Sequence, residues 1–197
     1  MNYTSLPDAV AAAKDGETVE LLKDATGAGV MIKAADAKNI TIDFGGHTYT
    51  IDKDLVGSTG TESQAFHFEK GCKITMTNGT VTSTNASMLV QNYGNLTVEE
   101  NMILDGTKSA DCGYVVSNNC GAVTIKGQIK ANDNAYAFDV CVTNYYPDGA
   151  QVTVENTAVI KGDIQYDVWG TKPEDNKATL TVNGGKFTGE IVVDEAL

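Results

Sequence analysis

The stretch Asn39-Ile40-Thr41-Ile42-Asp43-Phe44-Gly45-Gly46-His47-Thr48-Tyr49-Thr50-Ile51 decides the fold. It reads as one strand, a glycine corner and a second strand. A shortened form of the phrase returns along the chain: KITMTNGTV from Lys73, NLTVEENMI from Asn95, AVTIKGQI from Ala122, QVTVENTAVI from Gln151 and TLTVNGGKF from Thr179. Set on their central residue, the copies form a column of Thr41, Thr75, Thr97, Thr124, Thr153 and Thr181, at spacings of 34, 22, 27, 29 and 28 residues. Val19-Glu20-Leu21 reads as a weaker copy ahead of them, with Glu20 in the threonine place.

Aliphatic residues or methionine flank every threonine: Ile40 and Ile42, Ile74 and Met76, Leu96 and Val98, Val123 and Ile125, Val152 and Val154, Leu180 and Val182. This period-two alternation predicts strands with one buried face. A second strand follows most copies, as in Thr80-Val81-Thr82 and Ala158-Val159-Ile160. A third precedes them, as in Phe66-His67-Phe68 and Val140-Cys141-Val142. Short strands in a repeat of this length cannot bury an apolar face alone, so the repeats must stack and share a core. The expected fold is all-β: a single-stranded, right-handed parallel β-helix of about seven rungs, a rod roughly 34 Å long at ~4.8 Å per rung. It is expected to be one domain over residues 1–197, with residues 17–197 as rungs. Residues 1–16 form an N-terminal capping helix, with Ser5 as N-cap, Pro7 in the first turn, Leu6 and Val10 facing inward, and Gly16 beyond the end.

Val90-Gln91-Asn92, Val116-Ser117-Asn118 and Val142-Thr143-Asn144 recur in step. Asn92, Asn118 and Asn144 are therefore expected to form an inward ladder of stacked amides. On the same strands the residues alternating with the core positions are Met31, His67, Leu89, Val115 and Cys141. They predict an apolar outer stripe, a candidate interface covered either by the insertion from Asp52 to Gln64 or by another protomer. Tyr93, Tyr145 and Tyr146 follow the ladder, and Trp169 lies near the matching turn. Aromatic faces along a groove suit sugars, which makes these four the candidate ligand-binding residues. A threonine column also resembles an ice-binding face, but Asp43, Glu99, Lys126 and Glu155 border it, and β-branched strand residues are the simpler reading.

Composition narrows the function. The chain is 42% hydrophobic and 20% charged, which suits a packed domain rather than a disordered one. A net charge of −12 excludes a basic footprint for nucleic acid. No apolar run is long enough to span a membrane, and Met1-Asn2-Tyr3-Thr4-Ser5 has no signal-peptide character. The four cysteines, Cys72, Cys112, Cys120 and Cys141, form no CxxC pair, so buried reduced thiols are expected rather than zinc ligands; a Cys112–Cys120 disulfide is the alternative. No cofactor is expected. The acidic turns at Asp52–Asp54, Asn132–Asn134 and Glu174–Asn176 miss the EF-hand spacing and suit at most a weakly held calcium ion.

Ser5-Leu6-Pro7-Asp8-Ala9-Val10-Ala11-Ala12-Ala13-Lys14-Asp15-Gly16-Glu17-Thr18-Val19-Glu20-Leu21 resembles the opening of pectate-lyase-like β-helix proteins, of the form SLxxAVxAAxxGDTIxL. Ile40-Thr41-Ile42-Asp43-Phe44-Gly45-Gly46-His47-Thr48 resembles their phrase ITIDLNGHT. The resemblance implies the right-handed β-helix but no single activity, since such solenoids serve as lyases, hydrolases, adhesins and phage spikes. For the lyases it implies an arginine base with acidic calcium ligands, and all fourteen basic residues here are lysine. For the hydrolases it implies clustered aspartates; Asp139 and Asp167 come nearest, and exposed solubilising carboxylates are the preferred reading of that pair. The expected protein is a non-catalytic structural or interaction module, surface or adhesin-like or virion-associated. The alternatives are a carbohydrate-active enzyme and a carbohydrate-binding module. A glycan is the expected ligand, and the uncovered strand at Gly189–Leu197 favours a homo-oligomer.

Overall fold

The computed structural model describes all residues from Met1 to Leu197. The chain forms a parallel β-solenoid of about seven turns with a short N-terminal helix. All strand pairs are parallel, and the one antiparallel bridge joins Val56 to Gln64. Two sheets run along the coil. Sheet A has twelve strands in two arms, joined through the long strands Asn39–Lys53 and Lys73–Ser83; sheet B has seven. Asn39–Lys53 is the phrase that opened the sequence reading. It bends at Gly45 and Gly46, whose φ values of 60° and 79° favour glycine. A Cβ on Gly45 would run into the carbonyl oxygen of Leu21 on the preceding turn.

The threonine column stands in register. Thr41 pairs with Thr75, Thr75 with Thr97, Thr97 with Thr124, Thr124 with Thr153 and Thr153 with Thr181. It begins earlier than expected: Thr18, not Glu20, lies opposite Thr41. Val19 then falls opposite Ile42 and points into the core, whereas Leu21, the other flank of the Glu20 alignment, is only partly buried. From Ile40 to Val154 the residues flanking the column enter one continuous core with Phe44, Phe66, Phe68 and Phe138, while Leu180 only packs against it and Val182 is exposed. Beside the threonines, Lys126 bridges to Glu99 across two turns (2.9 Å), and Asn183 donates to Glu155 (3.1 Å).

The helix Leu6–Ala12 closes the first turn with Leu6 and Val10 buried. The Ser5 side chain accepts from the Asp8 amide (3.2 Å). The helix has no basic residue in its last turn; instead Lys38, from a later turn of the coil, donates through Nζ to the carbonyls of Val10, Ala11 and Ala13 at 3.0–3.2 Å. A cation at this end complements both the unpaired carbonyls and the helix dipole. At the opposite end of the solenoid Ile191, Val192 and Val193 are exposed.

The amide ladder is shorter than the sequence implies. Asn92 Nδ2 donates to Asn118 Oδ1 (2.8 Å), and both residues are fully buried. Asn144 is exposed, and its backbone N–H donates to Thr171 O (3.1 Å). The cause is register: Phe138, not Val142, lies opposite Val116, with a bulge between Tyr136 and Phe138. The strand Tyr136–Val142 therefore starts earlier, and Asn144 lies beyond it.

Register also dissolves the expected apolar stripe. His67 lies opposite Met31 and Gln91, and Gln91 opposite Ser117, so Leu89 and Val115 belong to another column. Alternation fails at the start of the sheet B strands, where Ala65–Phe66, Leu89–Val90, Val115–Val116 and Ala137–Phe138 are buried as consecutive pairs. The connections leading into sheet B pack there: a Cβ on Gly106 would lie 2.8 Å from Val115 Cγ2. Those connections also bond to one another along the coil. Ser87 Oγ donates to Ser63 O (3.1 Å), Ser109 Oγ to Ala86 O (2.8 Å) and Asn132 Nδ2 to Ser109 O (2.9 Å). His67, Leu89, Val115 and Cys141 are buried and Met31 half-buried, so the chain covers the stripe itself.

Candidate functional site

The outer face of sheet B is the candidate site. Its strands place one polar residue after another along the coil: His67, Gln91, Ser117, Asp139 and Gln165. The first four are buried although they lie on the side away from the core. They bond to one another and to their neighbours. His67 Nδ1 lies 3.3 Å from Gln64 Oε1, Gln91 Nε2 donates to Ser117 Oγ (3.3 Å), and Ser117 Oγ lies 3.2 Å from both Asp139 Oδ2 and Asn119 Oδ1. The other oxygen of Asp139 accepts from the Asn118 amide.

Asp139 overturns the expectation of a solubilising surface carboxylate, since it is only 5% exposed. Burial pushes its pKa up to about 7, against the pull of the Asn118 amide, and Asp167 raises it further. The ladder accommodates the neutral acid: protonated Asp139 donates to Ser117 Oγ, which also accepts from Gln91 and gives its one proton to Asn119. Asp167 lies opposite Cys141 and one strand beyond Asp139, roughly 8 Å away diagonally by strand spacing. Its pKa is raised by burial first and by Asp194 second. Its Oδ1 is buried and has no hydrogen-bond partner.

Aromatic rings lie over and beside this ladder. Tyr114 and Tyr136 stack with centroids 5.6 Å apart, and Tyr114 Oη donates to Gln165 Oε1, two strands away. On the other side a strip runs His67–Tyr93 (5.4 Å), Tyr93–Tyr146 (5.4 Å), Tyr146–Trp169 (6.3 Å) and Trp169–Tyr145 (4.9 Å). All four aromatic residues singled out in the sequence thus meet in one strip, with Tyr145 60% and Trp169 48% exposed. Tyr145 and Tyr146 reach it because their loop folds back along the coil, where Asp148 bridges to Lys70 Nζ (2.7 Å). Beneath that bridge a pocket of about 180 Å³ is lined by Tyr93, Cys72, Cys120 and Gly121. Tyr114 and Tyr136 escaped the sequence reading, as did the polar ladder: His67 was expected in an apolar stripe and Asp139 on the surface, and Gln91, Ser117 and Gln165 were given no site role. The signal available for the tyrosines was their matching place at the start of successive strands.

The thiols and the histidine of this region are held uncharged by burial. Its buried thiols are free, and burial raises Cys112 to about 11 and Cys141 to about 12, leaving both protonated at neutral pH. Burial likewise lowers the pKa of His67 and favours the neutral ring. No three His, Cys, Asp or Glu side chains are gathered closely enough to hold a metal ion.

Compared with protein-family models, with curated proteins and with solved structures, the chain has no significant match in any of the three. What it shares with the pectate-lyase-like proteins is the parallel β-solenoid itself.

Proposed function

We propose that this β-solenoid is a non-catalytic interaction module, of a cell surface or a virion, that binds a glycan along the aromatic strip of sheet B. The observation that carries the reading is the convergence of Tyr93, Tyr146, Trp169 and Tyr145 into one strip with its last two rings open to solvent. Sugar rings present apolar C–H faces that stack on such aromatics, and their hydroxyls need polar groups close by. A β-solenoid supplies both at a regular spacing along a rigid axis. Catalysis is disfavoured by Asp139, whose two oxygens are engaged within the ladder.

A glycan array tests this. Wild-type protein is expected to bind a subset of linear glycans, with Trp169→Ala and Tyr145→Ala each weakening binding about tenfold, as loss of a stacked ring does. Failure of the wild-type protein to bind any glycan overturns the reading. The raised pKa of Asp139 beside Asp167 is the observation favouring a polysaccharide-cleaving enzyme. That reading predicts turnover of a bound glycan that is lost in Asp139→Asn, whereas a binding module leaves the glycan intact.

A further inference from the structure

We infer that glycan binding on the strip is regulated by pH, through a hydrogen-bond relay that runs from Asp139 to Tyr93. The inference rests on the binding role proposed above and adds its regulation. Ser117 is the turning point of the relay. Its hydroxyl has one proton and two acceptors in reach, Asp139 Oδ2 and Asn119 Oδ1, both at 3.2 Å, while Gln91 Nε2 approaches it as a donor (3.3 Å). With Asp139 neutral, the acid donates to Ser117 and Ser117 donates to Asn119. Once Asp139 gives its proton to solvent, the carboxylate is the stronger acceptor and draws the Ser117 proton to itself. Asn119 Oδ1 then loses the donor that fixes its amide.

Asn119 leads to the strip. Asn118 lies opposite Asn92, which sets Asn119 one strand over from Tyr93. Burial raises the pKa of the Tyr93 hydroxyl and Tyr146 raises it further; the Asn119 side chain opposes them, as a hydrogen-bond donor to that oxygen does. With its Oδ1 held by Ser117, Asn119 presents its NH2 group to Tyr93. Tyr93 in turn packs on His67 and Tyr146, both at 5.4 Å, and Tyr146 packs on Trp169. The neutral acid therefore holds the first tyrosine of the strip and the carboxylate releases it. A platform held in place binds more tightly, because less order has to be gained on binding. The titratable groups facing Asp139 are Asp167 on the next strand, Tyr114 on the strand before and Cys141 on its own. Burial keeps the tyrosine and the thiol protonated, and a charged Asp167 favours the neutral form of Asp139. Burial likewise favours the neutral ring of His67 beside Tyr93.

Side-chain amide NMR of the full, ligand-free chain, titrated from about pH 5.5 to about pH 8.5, reads the relay. The Asn119 NH2 signals are expected to shift with a midpoint near pH 7. Asp139→Asn keeps a donor to Ser117 and is expected to hold those signals at their acidic position throughout. Ser117→Ala leaves Asp139 free to titrate and is expected to silence the response of Asn119. The glycan array, run at both ends of the range, is expected to show wild-type binding about three- to tenfold weaker at the alkaline end, as for one lost hydrogen bond. Asp139→Asn is expected to bind equally at both ends. Wild-type binding that is equal or tighter at the alkaline end overturns the inference and leaves glycan binding standing. So does a pH dependence that survives Asp139→Asn, or an Asn119 response that survives Ser117→Ala. Absence of array binding at both pH values overturns both.

Discussion

The two sheets have the same core-facing chemistry and opposite outer faces. On sheet A the outward column is threonine after threonine, half-buried along most of its length, bordered by pairs such as Lys126–Glu99. Water satisfies whatever the side chains leave open, and each residue there is replaceable. On sheet B the outward column is His67, Gln91, Ser117 and Asp139, all buried, with Gln91, Ser117 and Asp139 bonded in series and His67 against Gln64, beside aromatic rings. Sealing a polar ladder, with a carboxyl among it, costs stability that a plain threonine face does not. A coil needing only a core would carry the sheet A arrangement on both sides. The difference is the reason for proposing sheet B, rather than sheet A, as the binding face.

The largest effect expected from this comparison lies where both faces depend on one residue. Phe138 is fully buried in the core of sheet B, next to Asp139. Phe138→Ala is expected to cost about 3–5 kcal/mol in chemical denaturation. A cost below 1 kcal/mol would mean that the coil is not packed there.

Next comes the pH dependence of the sealed ladder. The folded pKa of Asp139 is about 7, against about 3.9 for an unfolded aspartate. The native state thus holds a proton that the unfolded state has lost between those values. The contribution is full below pH 4, falls as pH rises to 7, and is absent above. Denaturation of wild type and Asp139→Asn across this range is expected to show the wild type losing ground by an amount on the order of a few kcal/mol. A difference independent of pH would break the contrast between the sheets.

The amide pair is a smaller lever. Asn118→Ala removes the acceptor of Asn92 Nδ2 and is expected to cost about 1–3 kcal/mol. The conservative Asn118→Asp should restore an acceptor but introduce a charge, so it is expected to recover stability only at low pH. Smallest of all, Thr124→Ala on sheet A is expected to stay within about 0.5 kcal/mol. An effect as large as that of Asn118→Ala would show that the threonine column is more than a solvated strand face.

The coil was legible in the sequence because stacking repeats the same demand at every turn: an aliphatic pair around a central threonine from Thr41 to Thr181 survives variation in loop length. Register was less legible. Thr18 was hidden by Val19-Glu20-Leu21, which satisfies the same alternation two residues out of place. Asn144 matched the pattern of Asn118 in sequence, but the earlier start of Tyr136–Val142 carried it past the ladder. Period-two reading also fails where loops cover the outer side of a strand, as at Val115, because both faces are then apolar. The residues of the aromatic strip could be picked out one by one. Their meeting brings together side chains from separate turns of the coil, Tyr93 with Tyr146 and Tyr146 with Trp169, for which local pattern holds no signal.

Trp169 is the only tryptophan in the chain, so intrinsic fluorescence reports on the strip alone. Titration with an oligosaccharide that the wild-type protein binds on the glycan array is predicted to give a saturable change in Trp169 emission whose midpoint matches the calorimetric affinity. Binding heat with an unchanged emission would place the ligand elsewhere on the coil and contradict the assignment of sheet B as the binding face.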